Sequence, residues 1–286
     1  METTETAVFY FSGTGNSLAA AKTIAAHFGC PTAVNIAEII CCRHNSIYSA
    51  PKTDNSTLHT PNSKLKSCVR VIVVYPSYAY GMPAAVKRFF QAAEFRKDAY
   101  IAALVTYGSK QGGALAEAKR LLRRRRIKLS YARGIPAVEN FLPIFGTPKK
   151  KTILKRTAMQ KETVAAVCQE IEDGAKRAVF AFRPFCKAVS ALFRSARRLL
   201  VKLYKVESTC TGCGICQKIC QARAITMTNG KPEFSKKCEI CQCCINFCPQ
   251  KAISFLRVKP KTPRYTNADV TLSEFIMNEK PTENSE

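Results

Sequence analysis

Residues 7–17 read Ala7-Val8-Phe9-Tyr10-Phe11-Ser12-Gly13-Thr14-Gly15-Asn16-Ser17. A short apolar run, a loop of glycines and hydroxyls, and a helical stretch from Asn16 to Phe28 make a strand–loop–helix unit. Such a loop offers backbone N–H groups to a phosphate at the helix N-terminus, and glycine lets the phosphate come close. The triphosphate motif G-x4-G-K-[ST] is absent because no lysine follows. The dinucleotide fingerprint fails because Leu18 stands where a third glycine is needed. Two readings remain: a hydroxyl-rich phosphate loop, or a plain tight turn between strand and helix.

The alternation continues outward from this unit. Val69 to Tyr75 is a β-branched apolar run of the kind a buried parallel strand shows. Met82 to Ala93 reads as a helix with Pro83 in its first turn. Tyr100–Thr106 and Lys128–Val138 read as strands, and Gly113–Arg125 and Thr157–Arg177 as helices. The order predicts an α/β fold, an open doubly wound parallel sheet covered on both faces. Cys41 to Lys66 is polar and aperiodic, and reads as an irregular insertion. Two more loops fall at the carboxyl edge of the sheet, where such folds bind ligands. They are Pro76-Ser77-Tyr78-Ala79-Tyr80-Gly81 and Thr106-Tyr107-Gly108-Ser109, the latter followed by Gly112-Gly113.

The chain has 286 residues, room for about two domains of ~150 residues each. Its 47% hydrophobic content excludes a wholly disordered chain. Lys and Arg number 45 against 20 Asp and Glu, a net charge of +25. The excess is local, with Lys119–Lys128, Lys149–Arg156 and Arg183–Lys205 all strongly basic. Charge alone, without a recognition fold or interleaved aromatics, does not argue for nucleic acid. No apolar run reaches the ~18–20 residues of a membrane span. The acidic start, Met1 to Glu5, is unlike a signal peptide, so a cytoplasmic protein is expected. Fifteen cysteines without a secretion signal point to metal rather than disulfides.

Nine of those cysteines lie between Cys210 and Cys248. Cys210, Cys213, Cys216 and Cys220 are matched 28 residues later by Cys238, Cys241, Cys244 and Cys248, and the offset continues into Ala224/Ala252 and Ile225/Ile253. Zinc sites usually take two separated cysteine pairs. Three cysteines in successive two-residue gaps suit three corners of a cubane cluster instead, and the fourth of each run ligates the other cluster. Cys210, Cys213, Cys216 and Cys248 are then one ligand set, and Cys220, Cys238, Cys241 and Cys244 the other. Residues 206–258 resemble the bacterial-type two-cluster ferredoxins, with one departure: Gln221 follows the first run where Pro249 follows the second. Cys243 aligns with Ile215 and reads as a bystander.

The run from Phe9 through Ser17 resembles the first strand and phosphate loop of flavodoxins. That resemblance implies FMN, with Ser12, Thr14, Gly15, Asn16 and Ser17 at its phosphate and Pro76, Ser77, Tyr78, Tyr80, Gly81, Thr106, Tyr107 and Gly108 around its ring. Which tyrosine stacks on the ring is open. The whole chain except its tail resembles a family of flavodoxin–ferredoxin fusions. The fold this implies is a flavodoxin-like domain over 1–177 and a small α+β two-cluster ferredoxin domain over 205–258.

Between them, Phe182 to Leu203 steps in threes and fours with arginines interleaved, an amphipathic basic helix starting near Pro184. It reads first as a linker helix, and second as a helix for a membrane surface or an acidic partner. Residues 259–286, rich in proline and polar residues, read as a mobile tail. The three histidines, His27, His44 and His59, have no partners for acid–base chemistry in sequence. The function implied is electron transfer between FMN and two [4Fe–4S] clusters, with a redox partner carrying an acidic docking face. Two alternatives stay open: a flavin-dependent reductase of a quinone or nitro compound, and a scaffold whose flavin loop is unused.

Overall fold

The computed structural model describes residues 5–42, 65–177 and 184–277. Five strands form one sheet: β1 (Thr6–Tyr10), β2 (Val34–Asn35), β3 (Arg70–Pro76), β4 (Tyr100–Tyr107) and β5 (Tyr131–Pro136). Their order is β2-β1-β3-β4-β5, and every neighbouring pair is parallel. This is the flavodoxin-like doubly wound order, whose ligand crevice lies at the carboxyl ends of β1 and β3. The expected fold class is therefore observed. Val71 to Tyr75 are all fully buried because both faces of the strand are covered. Val71, Val73 and Tyr75 face α2 (Ile36–Cys42), α3 (Ala84–Ala92) and α4 (Ala114–Arg124). Ile72 and Val74 face α1 (Asn16–His27) and the 23-residue α6 (Lys150–Glu172). A single turn, α5 (Leu142–Phe145), precedes α6.

Three features differ from expectation. The strand β2 spans two residues, too few to show a period in sequence. The last sheet helix begins at Lys150 rather than Thr157, because its first turns are basic and exposed and carry little apolar pattern. Of the expected insertion, α2 runs through Cys42 and residues 65–67 are helical, while 43–64 lie outside the described residues.

The predicted linker helix is α7 (Pro184–Leu200). Beyond it β6 (Tyr204–Val206) pairs antiparallel with β9 (Ile253–Phe255). The hairpin β7 (Ile225–Thr228)–β8 (Lys231–Phe234) turns on Asn229 and Gly230, both at positive φ (49° and 74°), as a type I′ turn requires. The repeat is visible in space. Helices α8 (Ile215–Lys218) and α9 (Cys243–Asn246) are one offset apart, each preceded by a left-handed residue, Gly214 and Gln242.

The expectation of a mobile tail is corrected for residues 259–277. Tyr265, Asn267, Phe275 and Met277 are each at most 5% exposed. The Phe275 ring lies 4.6 Å from Phe247, and the Met277 N–H donates to the Lys218 carbonyl at 3.1 Å. A few anchoring side chains among polar and proline residues hold this segment, and their irregular spacing leaves no period to read. Phe275 also shares one core with Ile24 of α1, Val167 of α6, and Ile219 and Cys243 of the cysteine-rich region. The two halves of the chain are packed on one another.

Candidate cofactor site

The loops after β1, β3, β4 and β5 converge on a cavity of about 440 Å³. Of the residues singled out in sequence, Ser12, Thr14, Asn16, Ser17, Pro76, Ser77, Tyr78, Tyr80, Thr106, Tyr107 and Gly108 line it. Gly15 and Gly81 do not, and their role is backing. A β-carbon at Gly15 (φ 102°) would lie 2.9 Å from Asn267 Cβ and closer still to Val270. At Gly81, Ser190 of α7 occupies that space. Three contributors were not legible in sequence: residues 137–141 after β5, the α7 wall of Val189, Leu192, Phe193, Ala196 and Leu200, and Ile240-Cys241-Gln242 of the second cysteine run.

Within the first loop, Ser12 Oγ accepts the Gly15 N–H at 3.2 Å, and the Ser17 and Thr106 hydroxyls lie 2.7 Å apart. Asn140 donates to the Thr14 hydroxyl. Asn16 is used differently. Its Nδ2 donates to the Val138 carbonyl at 2.9 Å, and its Oδ1 accepts from Tyr265 Oη at 2.8 Å and Asn267 Nδ2 at 3.2 Å. The side-chain oxygen of Asn16 thus has both lone pairs committed to the C-terminal segment. The Asn267 N–H also donates to the Thr14 carbonyl at 2.8 Å. Residues 264–277 therefore act as a strap behind the loop.

Residues lining the cavity include buried polar atoms with no partner in the protein. Ser77 Oγ, Tyr78 Oη and Gln242 Oε1 are buried without hydrogen-bond partners. Groups of this kind are rare unless a ligand or water meets them. Tyr78 packs edge-on against Phe11 at 6.4 Å, and its hydroxyl lies toward Gly13. Burial pushes that phenol far above its ordinary range, with Cys241 and Glu239 adding to the effect, so it is a neutral donor. An oxygen-rich ligand with an anionic end and a planar body that both donates and accepts suits these groups, and FMN is such a molecule.

The cysteines fall into two quartets. Cys210, Cys213, Cys216 and Cys248 line one small cavity beside Pro249. Cys238, Cys241, Cys243 and Cys244 lie close enough to one another and to Cys220 for these neighbours to raise their thiols. Among the described residues no three His, Cys, Asp or Glu side chains close in as tightly as one metal ion needs. The repeat extends to the sulfurs: the Ala224 N–H donates to Cys220 Sγ at 3.2 Å, and the Ala252 N–H to Cys248 Sγ at 3.3 Å. Burial pushes the Cys216 and Cys238 thiols up to about 11, and those of Cys241 and Cys244 well above their ordinary value. Bound cationic iron is what makes thiolates stable in such surroundings.

The two quartets differ in position. Cys213 is exposed, whereas Cys220, Cys238 and Cys244 are buried and Cys241 lines the large cavity. A β-carbon at Gly13 would meet the Cys241 carbonyl at 2.6 Å, so the Ser12–Ser17 loop and the second cysteine run touch through a glycine. Cys243 lies buried in the sheet-side core and its Sγ faces the Ile219 carbonyl at 3.6 Å.

Buried charges join the parts. Glu239, next to Cys238 and 4% exposed at its side chain, pairs with Arg197 of α7 at 2.8 Å. Its carboxylate also accepts the Ala84 and Ala85 N–H groups at the start of α3, where the helix dipole favours an anion. Arg194 binds Glu117 of α4 at 3.0 Å. Arg264, from the strap, donates to the Lys251 and Ile253 carbonyls, and its charge couples to Cys248 of one quartet and Cys244 of the other. Gln221 is 1% exposed with both amide atoms unpartnered. Of the histidines, His27 meets Glu172 at 3.1 Å on the surface, and His44 and His59 lie outside the described residues.

The 4Fe-4S binding domain family matches residues 203–226, which contain the first cysteine run. No curated protein matches the chain. Among solved structures, a protein assigned as a flavoprotein from Bacteroides uniformis ATCC 8492 is 16% identical, covering 56% of this chain and 97% of that one at a TM-score of 0.33. The Trp repressor binding protein from Bacillus subtilis is 12% identical, covering 56% and 96% at a TM-score of 0.35. The rubredoxin oxygen:oxidoreductase of Desulfovibrio gigas is 15% identical, covering 58% of this chain and 36% of its own at 0.31. At such TM-scores these likenesses carry no weight. The fold class rests on the strand order, and the iron–sulfur character on the matched family and the quartets. Among the described residues no helix is long and apolar enough to cross a membrane.

Proposed function

We propose that the chain is an electron-transfer flavoprotein, built as a flavodoxin–ferredoxin fusion with FMN and two [4Fe–4S] clusters. The observation that carries this reading is Cys241, which belongs to the inner quartet and also lines the cavity beneath the phosphate loop. Cys220, Cys238, Cys241 and Cys244 hold the cluster beside the flavin, and Cys210, Cys213, Cys216 and Cys248 the outer one. FMN, when bound, supplies two-electron chemistry that can be matched to one-electron carriers. Ser12, Thr14 and Ser17, with the N–H groups opening α1, hold its phosphate. Ser77, Tyr78, Tyr80, Thr106, Tyr107 and Gly108 surround the ring, and α7 flanks it with apolar side chains. The functional units are the flavin domain to residue 177, the helix to 204 and the cluster domain to 258, with the strap to 277 binding them together. A redox partner with an acidic face docks near the exposed Cys213.

The test is composition of anaerobically purified protein. About eight iron, eight sulfide and one FMN per chain are expected. Full iron without flavin, even after reconstitution with FMN, would remove the flavin half of the reading. A second reading, reduction of a small quinone or nitro acceptor, draws on one observation: Ile144, Phe145 and Leu192 line the cavity yet are 67%, 56% and 71% exposed, so its mouth is open. Turnover of such an acceptor by a soluble donor separates the two.

A further inference from the structure

The helix α7 carries apolar side chains on two sides: Val189, Phe193, Ala196 and Leu200 line the cavity, and a second row faces water. A helix on a globular protein normally buries its apolar stripe and shows charge to water. Besides that inward wall, Ser190, Arg194 and Arg197 tether the helix, through the contact with Gly81 and the ion pairs to Glu117 and Glu239. Phe185, Leu192 and Leu199, spaced by seven and therefore on one stripe, are 71%, 71% and 66% exposed. Lys187, Arg198 and Lys202 form an adjoining exposed row. Residues 184–205 carry six Lys or Arg and no Asp or Glu. Leu192 reaches the mouth of the cavity, where Ile144 and Phe145 are also exposed, so the apolar surface continues across the opening.

We propose that this stripe and its basic flank dock on an anionic membrane surface, with α7 lying in the interface plane. An interfacial helix sinks phenylalanine and leucine to the level of the acyl chains, while lysine and arginine reach back to the headgroups. Cations beside anionic lipid add attraction that falls away with salt. Charge alone would suit an acidic protein equally. The protruding apolar row is what an acidic protein face leaves unmatched and a lipid interface takes up. In this orientation the cavity mouth faces the membrane.

The experiment is co-sedimentation of the cluster-loaded protein with vesicles of phosphatidylcholine alone and of phosphatidylcholine with phosphatidylglycerol. The double variant Phe185→Ser/Leu199→Ser changes only stripe residues that do not line the cavity, and Lys187→Gln/Arg198→Gln removes flanking charge. The native protein is expected to bind only the anionic vesicles, less at high salt. Affinity should fall about ten-fold or more in the serine variant, and about five-fold per charge removed in the glutamine variant. Visible cluster absorbance reports folding, and if the serine variant loses it the glutamine variant decides. No binding by the native protein overturns the proposal. So does undiminished binding by a folded serine variant, which would show adsorption by charge alone. Concentration-dependent self-association abolished by the serine variant, or slower exchange with an acidic carrier protein in that variant without vesicle binding, assigns the stripe to a protein and likewise overturns it.

Discussion

Replacing both Tyr265 and Asn267, as Tyr265→Phe/Asn267→Ala, should loosen flavin binding from behind the phosphate loop. The two side chains supply both hydrogen bonds to Asn16 Oδ1, at 2.8 and 3.2 Å, and Asn16 is only 6% exposed. Losing both leaves a buried carbonyl oxygen without a partner, which costs about 1–3 kcal/mol. The loop escapes that cost by moving Asn16, the first residue of α1, away from the geometry that presents N–H groups to the phosphate. Charged against binding, it raises the FMN dissociation constant by about 5- to 150-fold. Tyr265→Phe alone leaves the Asn267 bond and should cost about 0.5–1.5 kcal/mol. The backbone bonds from Tyr265 to Asn246 and from Asn267 to Thr14 survive both changes, so the strap stays seated. The assay is fluorescence titration of flavin-free protein with FMN, alongside iron content. Unchanged affinity in the double variant refutes the strap's role. Failure of the unaltered protein to bind FMN refutes the flavin reading instead.

Three more predictions probe other joints. Removing the positive charge that couples to both quartets, as Arg264→Gln, disfavours the more negative reduced clusters; a fall of tens of millivolts in EPR-monitored midpoint potentials is expected, roughly 60 mV for each 1.4 kcal/mol of one-electron coupling. Gly13→Ala places a methyl 2.6 Å from the Cys241 carbonyl, a backbone atom with little room to yield. It should cost about 1–3 kcal/mol of stability by thermal melting and slow electron exchange between flavin and clusters; full stability and rate would contradict the packing. Glu170 is pushed up by burial, but the Tyr131 hydroxyl, Arg133 and Arg177 outweigh this and hold its carboxyl below the usual range. Its contribution is therefore complete above about pH 4.5 and fades as pH falls through the lowered folded value. Glu170→Gln should flatten that acid limb in denaturant titrations, and an unaltered slope would exclude the pairing.

The sequence by itself determined the elements whose signal is local and repeated. The continuous apolar runs at Val71–Tyr75 and Ile101–Val105 announced a sheet covered on both faces, because only strands buried twice lack alternation. The loop at Ser12–Ser17 narrowed to a phosphate loop or a tight turn, and cysteines two residues apart in two copies pointed to a cubane cluster rather than zinc. Tertiary structure decided what spacing cannot carry. Gln160 of α6 reaches the Asn16 carbonyl across 144 residues, and Tyr265 reaches its side chain across 249. The expected tail is a strap because a handful of anchors suffices to bury a segment that has no period. Which cysteine run lies beside the Ser12–Ser17 loop followed only once the Cys241 carbonyl came to rest against Gly13. The exposed apolar row on α7 was equally hidden: periodicity shows that a helix has apolar positions, but only packing decides which of them face the protein.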